Sequence, residues 1–412
     1  MTTHQNAMRP IRETIPLDEA RALVLDAAVP VDRTERVSIA SANGRVLAAD
    51  AVATIDVPPF DRAAMDGYAV IAEDTFGAGR YDPKVLTCIA TVFTGDAPRH
   101  AVSRGECVEI ATGAPMPDGA DAVVMVEETE KLAAGGAATV RIFTPVYPRQ
   151  NVGRRAADIG AGQVVLSRGD VLTPSRIGAL AATGVPDVEV FAKPRVAILS
   201  TGNEIIEPGQ PLAPGQIYDI NRFTLATIIG EHGGEAVPSP TAPDSLPDLT
   251  AAIEGAAGED LIVFSGGSSV GERDLIMDAL ARMGEVIFHG IAVKPGKPTV
   301  FGRIGTKPVL GMPGYPTSCL SNAYMLLVPM LRRMARLPAY QPHTVSVPLS
   351  RRVVSTTGRH QFYTVRIVDG TAVPAFKGSG DITSMSRADG YIEIPAQTDI
   401  VEAGQTVTVK LF

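Results

Sequence analysis

The residues of this sequence best suited to holding an anion are a lysine pair and a glycine-serine loop. Lys294 and Lys297 flank a Pro-Gly turn in VKPGKPT. Two ammonium groups on a stiff turn suit an oxyanion or a phosphate, and the plain alternative is a pair of surface lysines on a solvated hairpin. The stretch SGGSSVGERD places Gly266, Gly267, Ser268 and Ser269 between an apolar strand and a helix expected to start near Glu272. Paired glycines let backbone N–H groups approach an anion, the serines add donors, and a helix amino terminus favours negative charge. Asp274 sharpens this reading. A carboxylate beside a phosphate-binding loop repels the phosphate unless a divalent cation joins them, and Mg²⁺ held by one or two carboxylates plus phosphates is the usual solution. Otherwise Asp274 only complements the helix dipole.

A third loop, GMPGYPTSC, sets Pro313 and Pro316 about Gly314 and Tyr315, with Thr317 and Ser318 as candidate caps of a helix whose apolar residues run to Met334. Such a rigid turn aims a helix amino terminus at whatever lies over the sheet, or is simply a tight turn. In TGNEI, the small polar residues Thr201, Gly202, Asn203 and Glu204 stand where the chain leaves a strand. VKPGKPT is not a Walker A loop, because Lys297 is followed by Pro298, and no GxGxxG follows a strand, so dinucleotide binding loses its main support. Further upstream, VPPFDRAAMDGYAV carries Asp56, Asp61, Arg62 and Asp66, and ECVEIATGAPMPDGADAVVMVEE carries Thr112, Gly113 and Asp121. Composition leaves the activity of these two segments open.

The elements that position these groups follow from periodicity. Helical spacing joins Leu17, Ala20, Leu23 and Val24, and a second helix, TPSRIGALAATG, begins with Thr173 as a cap and ends at Gly184. Between Ala51 and about Pro148, short runs rich in Val and Thr (YAVIA, VLTCIATVF, ECVEIAT, DAVVMVEET, ATVRIF) read as an inserted β domain. From Lys193 strands alternate with helices, which reads as an α/β domain with a mostly parallel sheet. Ligands of such sheets bind outside the carboxyl ends of the strands, where the loops after RVAILST, LIVFS and VLGMP lie. After about Leu337 the pattern returns to short strands sufficient for a small β barrel. The whole length of 412 residues, 45% of them hydrophobic, predicts about three domains.

Charge and cysteine usage narrow the partners. With 37 basic against 45 acidic residues the net charge is -8, so the chain is no general polyanion binder, nucleic acid is not expected, and small anions must be held by local lysines and amides. Cys88, Cys107 and Cys319 are odd in number, far apart and free of CxxC spacing, so neither a disulfide framework nor a cysteine zinc site is expected. The segment MTTHQNAMRPIRETIPLDEA lacks the apolar core of a signal peptide, and no apolar run nears the roughly eighteen residues of a membrane span. The expectation is a cytoplasmic protein with no membrane partner.

The succession PPFDRAAMDGYAV, IATGAPMPDGADAVVMVEE, ILSTGNEI, GQIYDINRFTL, SGGSSVGERD, VKPGKPTVFG and GMPGYPTSCLSNAYMLLVPML closely resembles the molybdopterin molybdenumtransferase family, the MoeA and gephyrin E-domain proteins. The match runs over nearly the whole chain, and its specificity lies in the order of the motifs. The resemblance implies a multidomain α/β plus β fold, an elongated, L-shaped homodimer of four-domain chains. Residues 10–50 and 148–183 would form an extended helical domain, 51–147 the inserted β domain, 184–336 a molybdopterin-binding α/β domain shared with molybdopterin adenylyltransferases, and 337–412 the β barrel. The implied activity belongs to molybdenum cofactor biosynthesis. Molybdate is inserted into adenylylated molybdopterin with Mg²⁺ assisting, the phosphoanhydride is hydrolysed and AMP leaves. A tungstate-inserting paralogue, a non-catalytic scaffold of the same fold and an adenylyltransferase are the rival readings. The adenylyltransferase and the molybdoenzymes that accept the cofactor are the further partners implied.

The same resemblance puts Asp66, Thr112, Glu204, Asp244 and Asp274 on catalytic positions, Asp274 and Glu204 on the metal, and Asp158, Gly266, Gly267, Ser268, Ser269, Lys294, Lys297, Pro313, Tyr315, Pro316 and Ser318 on substrate. Asp66 and Thr112 would act across the dimer on a cleft whose Glu204, Asp244 and Asp274 come from the other subunit. Three places depart from the family pattern: Asn203 where Asp is common, Tyr315 where Asn is common, and Ala156-Ala157-Asp158 where Gly-Glu-Asp is common.

Overall fold

The computed structural model describes residues 11, 13–132, 138–239, 241–243, 245–266 and 275–412. The architecture is multidomain, mixed α/β with additional β sheets. The chain divides into two compact units, one made of the residues up to Glu35 with Phe191–Phe412, the other of Arg36–Val190.

In the Arg36–Val190 unit the short Val- and Thr-rich runs form a six-stranded sheet, in the order Ala122–Met125, Gly67–Val70, Glu106–Ile110, Lys84–Val92, Thr139–Ile142, Thr129–Leu132. Neighbours are antiparallel except for Lys84–Val92 beside Glu106–Ile110, which run parallel. Alternation along each strand sends side chains to opposite faces. Tyr68, Val70, Leu86 and Cys107 thus pack on one side, and Ala69, Val92, Val108 and Ile110 on the other. The helix expected from Thr173 spans Pro174–Ala182. Thr173 occupies the cap position without a side-chain cap bond, and its hydroxyl meets Ser175 Oγ at 3.0 Å instead.

The other unit is built on a second six-stranded sheet, ordered Glu235–Pro238, Arg195–Ser200, Leu261–Ser265, Lys307–Met312, Val300–Ile304, Glu285–His289. The first four strands are parallel and the last two antiparallel, so the mostly parallel sheet read from the sequence ends in an antiparallel edge. Both faces are covered, as a parallel sheet requires. Val196, Ile198, Leu261 and Val263 pack with the helices Leu17–Asp26 and Asn221–Glu231, while Ala197, Leu199, Ile262 and Phe264 pack with Leu246–Gly255 and Leu275–Met283.

The helix that follows the proline loop is continuous from Pro316 to Met334 but widens to a π turn at Ala323–Leu327. Pro329 accounts for the disturbance, because it has no N–H to give the carbonyl four residues earlier. That carbonyl, on Met325, accepts instead from Arg21 Nε at 3.2 Å. The carboxyl-terminal strands make a further sheet, in which Val293–Lys294 joins His360–Val368 in parallel. Among the described residues no helix is long and apolar enough to cross a membrane.

Candidate functional site

A cavity of about 930 Å³ opens in the unit that contains Phe191–Phe412. Ser200 and Thr201, Ser265 and Gly266, and Pro313 to Pro316 line it, following three adjacent parallel strands at their carboxyl ends. This is where an open α/β sheet binds ligands. Gly266 has φ +100, and a Cβ on it would stand 2.8 Å from Thr201 O, so only glycine lets the two loops meet there.

Lys294 and Lys297 both line this cavity and are partly buried, which decides against a free solvated hairpin. Lys294 Nζ donates to Thr356 Oγ1 at 2.8 Å and Lys297 Nζ to Ile11 O at 2.9 Å. The turn between them is fixed from beneath. Gly296, at φ +103, lies so close to Asn322 that a Cβ would clash with the amide, and buried Asn322 donates through Nδ2 to Gly296 O at 2.9 Å and Thr299 Oγ1 at 2.6 Å. Both lysines therefore spend hydrogen bonds on neutral oxygens, and neither forms an ion pair among the described residues. Arg359 and Lys377 add two more cations to the same lining.

Glu204, from the first loop, lines the same cavity. Its carboxylate has no hydrogen bond or ion pair among the described residues. Its backbone is held, because Ile217 N donates to Glu204 O at 2.8 Å where Ile205–Ile206 pairs with Ile217–Tyr218. An exposed, uncommitted carboxylate fits one ligand of a Mg²⁺ that also takes phosphate oxygens. No group of three His, Cys, Asp or Glu able to hold a metal occurs among the described residues. Asp244, Gly267, Ser268, Ser269 and Asp274 lie outside the described residues.

Asp219 and Asn221, in the quoted stretch GQIYDINRFTL, also line the cavity but were not singled out by residue type. Asp219 Oδ1, one residue before the cap position Ile220, accepts from Arg222 N at 3.0 Å in the first turn of the helix Asn221–Glu231, and Asn221 Nδ2 donates to Gly314 O at 2.8 Å, tying that helix to the proline loop. Ser200 Oγ, Thr201 Oγ1, Asp219 Oδ2 and Asn221 Oδ1 are buried around this floor with no hydrogen-bond partner among the described residues. Arg359, Lys377 and Ser379 carried no signal at all. They reach the cavity only because the carboxyl-terminal sheet joins Lys294, and because Thr317 N donates to Ser379 O at 3.1 Å.

The proline loop differs from expectation in its caps. Tyr315, not Thr317 or Ser318, holds the cap position, and its side chain makes no cap bond. Pro316 starts the helix with its preset φ, and Thr317 Oγ1 is drawn away to Asp381 O at 2.9 Å. Ser318 is buried, with its side chain at the cavity wall. Tyr315 is 65% exposed, and its ring lies beside Gly380, where a Cβ would be 3.6 Å away. Tyr315 is thus an exposed part of the cavity lining with its ring against the Gly380 backbone.

The remaining candidates belong to the Arg36–Val190 unit. Thr112 N donates to Asp66 Oδ1 at 2.7 Å. This amide, and then the Thr112 hydroxyl, hold the exposed Asp66 carboxyl below the usual carboxylate range. Asp56 and Asp61 are tied down: Asp56 accepts from Arg155 Nε at 2.5 Å and Ala161 N at 2.8 Å, and Asp61 from Arg155 N at 2.7 Å and Arg149 Nη1 at 2.5 Å. Asp158 is exposed. Ala156, where the family pattern has glycine, takes the left-handed φ of 57.

Three family models tile the chain: the MoeA N-terminal region (domain I and II) at residues 15–184, a probable molybdopterin binding domain at 197–333, and the MoeA C-terminal region (domain IV) at 346–412. A molybdopterin molybdenumtransferase of Haemophilus influenzae is 32% identical, with 97% of this chain and 98% of that protein covered. Molybdopterin molybdenumtransferase 2 of Mycobacterium tuberculosis is 36% identical, with 90% and 94% covered. The solved structure of a molybdopterin biosynthesis MoeA protein from Pyrococcus horikoshii superposes with TM-score 0.82 at 41% identity, covering 97% of this chain and 99% of that one.

Proposed function

The chain belongs to the molybdopterin molybdenumtransferase (MoeA) family and is an enzyme of molybdenum cofactor biosynthesis, and on that premise we propose that its cavity takes adenylylated molybdopterin and molybdate, inserts the metal and releases AMP. The observation that carries this reading is the fixed lysine pair, Lys294 and Lys297, which lines the cavity and forms no ion pair among the described residues. A tetrahedral oxyanion needs cations already in place, because charges that must first be collected lose much of their effect in entropy and reorganisation. Asn322 beneath the turn and the Thr356 and Ile11 oxygens supply that order.

Each side chain then has a role of its own. Lys294 and Lys297, with Arg359 beside them, hold the oxyanion. Tyr315 and Ser318 offer hydroxyls to its oxygens, and Pro313 and Pro316 keep that loop rigid. Gly266 lets the loop after the strand pass close to Thr201, and Gly267, Ser268 and Ser269 are the residues assigned to the phosphates. Glu204 and Asp274 are the residues that would hold Mg²⁺, which would supply charge neutralisation for the phosphates. Asp244, Asp66 and Thr112 complete the catalytic set, and Asp158 contacts substrate. Asp66, kept ionised by the Thr112 amide, serves as a base or as a fixed negative charge.

The family resemblance supports a homodimer in the cytoplasm, with Asp66 and Thr112 acting in trans. Mixing Asp66→Ala with Lys297→Ala protomers then restores partial turnover, since some hybrid dimers hold one intact site. A monomer in sedimentation at assay concentration, or no rescue after subunit exchange, refutes the dimer. The function itself is tested by incubating the protein with adenylylated molybdopterin, Mg²⁺ and molybdate. AMP release that rises with molybdate supports it, and no release supports the scaffold reading. Tungstate in place of molybdate tests the paralogue reading, with Tyr315→Asn expected to change the ratio between the two oxyanions.

A further inference from the structure

Cys88 and Cys107 are nineteen positions apart in sequence, yet the sheet of the Arg36–Val190 unit sets them directly opposite one another on adjacent parallel strands. Neighbouring strands run about 4.8 Å apart, inside the roughly 4.4–6.8 Å window of Cα separations that a disulfide spans. The two side chains also point the same way. Both belong to the face carrying Tyr68, Leu86 and Val140. Cys107 is buried and Cys88 half-buried, so only Cys88 is open to a reagent from solvent. Strand register shifts between Cys88 and Ala90, and Cys88 Sγ contacts Ala90 O at 3.5 Å, so the backbone beside Cys88 is already irregular and can follow a small adjustment. Cys319, fully buried in the other unit, provides an internal control.

We propose that Cys88 and Cys107 form an oxidation site, a cross-strand dithiol that closes to an intrachain disulfide when it meets a low-molecular-weight disulfide. The chemistry is two exchange steps. The Cys88 thiolate attacks the S–S bond of the oxidant, which forms a mixed disulfide and expels one small thiol. The Cys107 thiolate then attacks Cys88 Sγ, which forms the intrachain bond and expels the second thiol. The oxidant takes up two electrons, and the two protons lost from the cysteines end on the two released thiols. Burial, followed by the neighbouring Cys88, pushes the Cys107 thiol well above its ordinary range, so the second step is the slow one and speeds up with rising pH. Cross-strand bonds of this kind are rare in reducing compartments and there mark reversible oxidation rather than a permanent framework.

The experiment uses the full native chain, reduced, freed of reductant and incubated with oxidised glutathione. After an acid quench, free thiols are alkylated and peptides are analysed by mass spectrometry. The expected product is a Cys88–Cys107 linked peptide lighter by two hydrogens, lost on adding dithiothreitol, with Cys319 reduced throughout. Cys107→Ala should stop the reaction at a Cys88–glutathione adduct, and Cys88→Ser should prevent both products. The wild-type measurement needs no variant to fold. A stable glutathione adduct on wild-type Cys88 with Cys107 free overturns the proposal. So do disulfides formed only between chains, or two thiols that react only after denaturation.

Discussion

The cavity and the Asp56–Asp66 stretch of the Arg36–Val190 unit both collect charged side chains, but they treat charge differently. Asp56 and Asp61 are ion-paired to Arg155 and Arg149. Lys294, Lys297, Glu204 and Asp66 have no ion pair among the described residues, and the three whose side chains are hydrogen-bonded are held by neutral groups: Thr356, a carbonyl and an amide. A paired charge has spent its field on its partner, whereas one held by neutral groups keeps it for a ligand. On the proposed reading, the contrast separates groups that build the fold from groups that serve substrate, even between Asp56, Asp61 and Asp66 of one short motif.

The largest effect that tests this contrast comes from the lysines. Lys294→Ala or Lys297→Ala should lower molybdate-dependent AMP release by roughly 100-fold, the scale of removing one preorganised electrostatic group, with circular dichroism unchanged. Arg155→Ala, which removes a paired charge, should instead lower the melting temperature and leave kcat intact. Equal loss of turnover in the arginine variant would break the distinction.

Next in size is Glu204→Gln. The amide keeps the shape but not the charge, so the Mg²⁺ concentration for half-maximal release should rise about tenfold, equivalent to about 1.4 kcal/mol. An unchanged magnesium titration would return Glu204 to the status of a turn residue.

A smaller effect is expected at Ala156, where a left-handed φ of 57 costs a non-glycine residue about 1 kcal/mol. Ala156→Gly should therefore stabilise the protein by somewhat under that amount, since glycine also frees the unfolded chain. Denaturant midpoints measure it, and kcat should not move.

Smallest is a pH effect at Asp66. Its carboxyl is depressed by the Thr112 amide first and the hydroxyl second. Its contribution is therefore fully present above the unfolded value of about 3.9 and is lost as pH falls through the lower folded value. Thr112→Val removes only the hydroxyl, so the Asp66 titration should shift modestly toward higher pH in carboxyl NMR. A titration unchanged from wild type would leave the amide as the sole cause.

Much of this was legible in the sequence. Strand and helix runs, the three loops at the strand ends and the lysine pair all follow from periodicity and residue type, because each is encoded locally. What stayed hidden depends on chain returning from far away. Arg359 and Ser379 enter the cavity through pairing with Val293–Lys294 and the docking at Thr317, and no spacing rule connects them to Lys294. The caps expected at Thr317 and Ser318 failed for the same reason, since Asp381 O claimed the Thr317 hydroxyl. Cysteine counting likewise missed that Cys88 and Cys107 are sheet partners.

On the proposed reading, a fixed pair of lysines with no ion pair among the described residues makes this cavity an oxyanion-dependent site of AMP release. Its most direct test is the rate of AMP formation from adenylylated molybdopterin and Mg²⁺ as molybdate is titrated, for wild type and Lys297→Ala side by side. The account predicts saturable release in the wild type and roughly 100-fold less at equal molybdate in the variant. Release that ignores molybdate, or that is equal in both proteins, would contradict it.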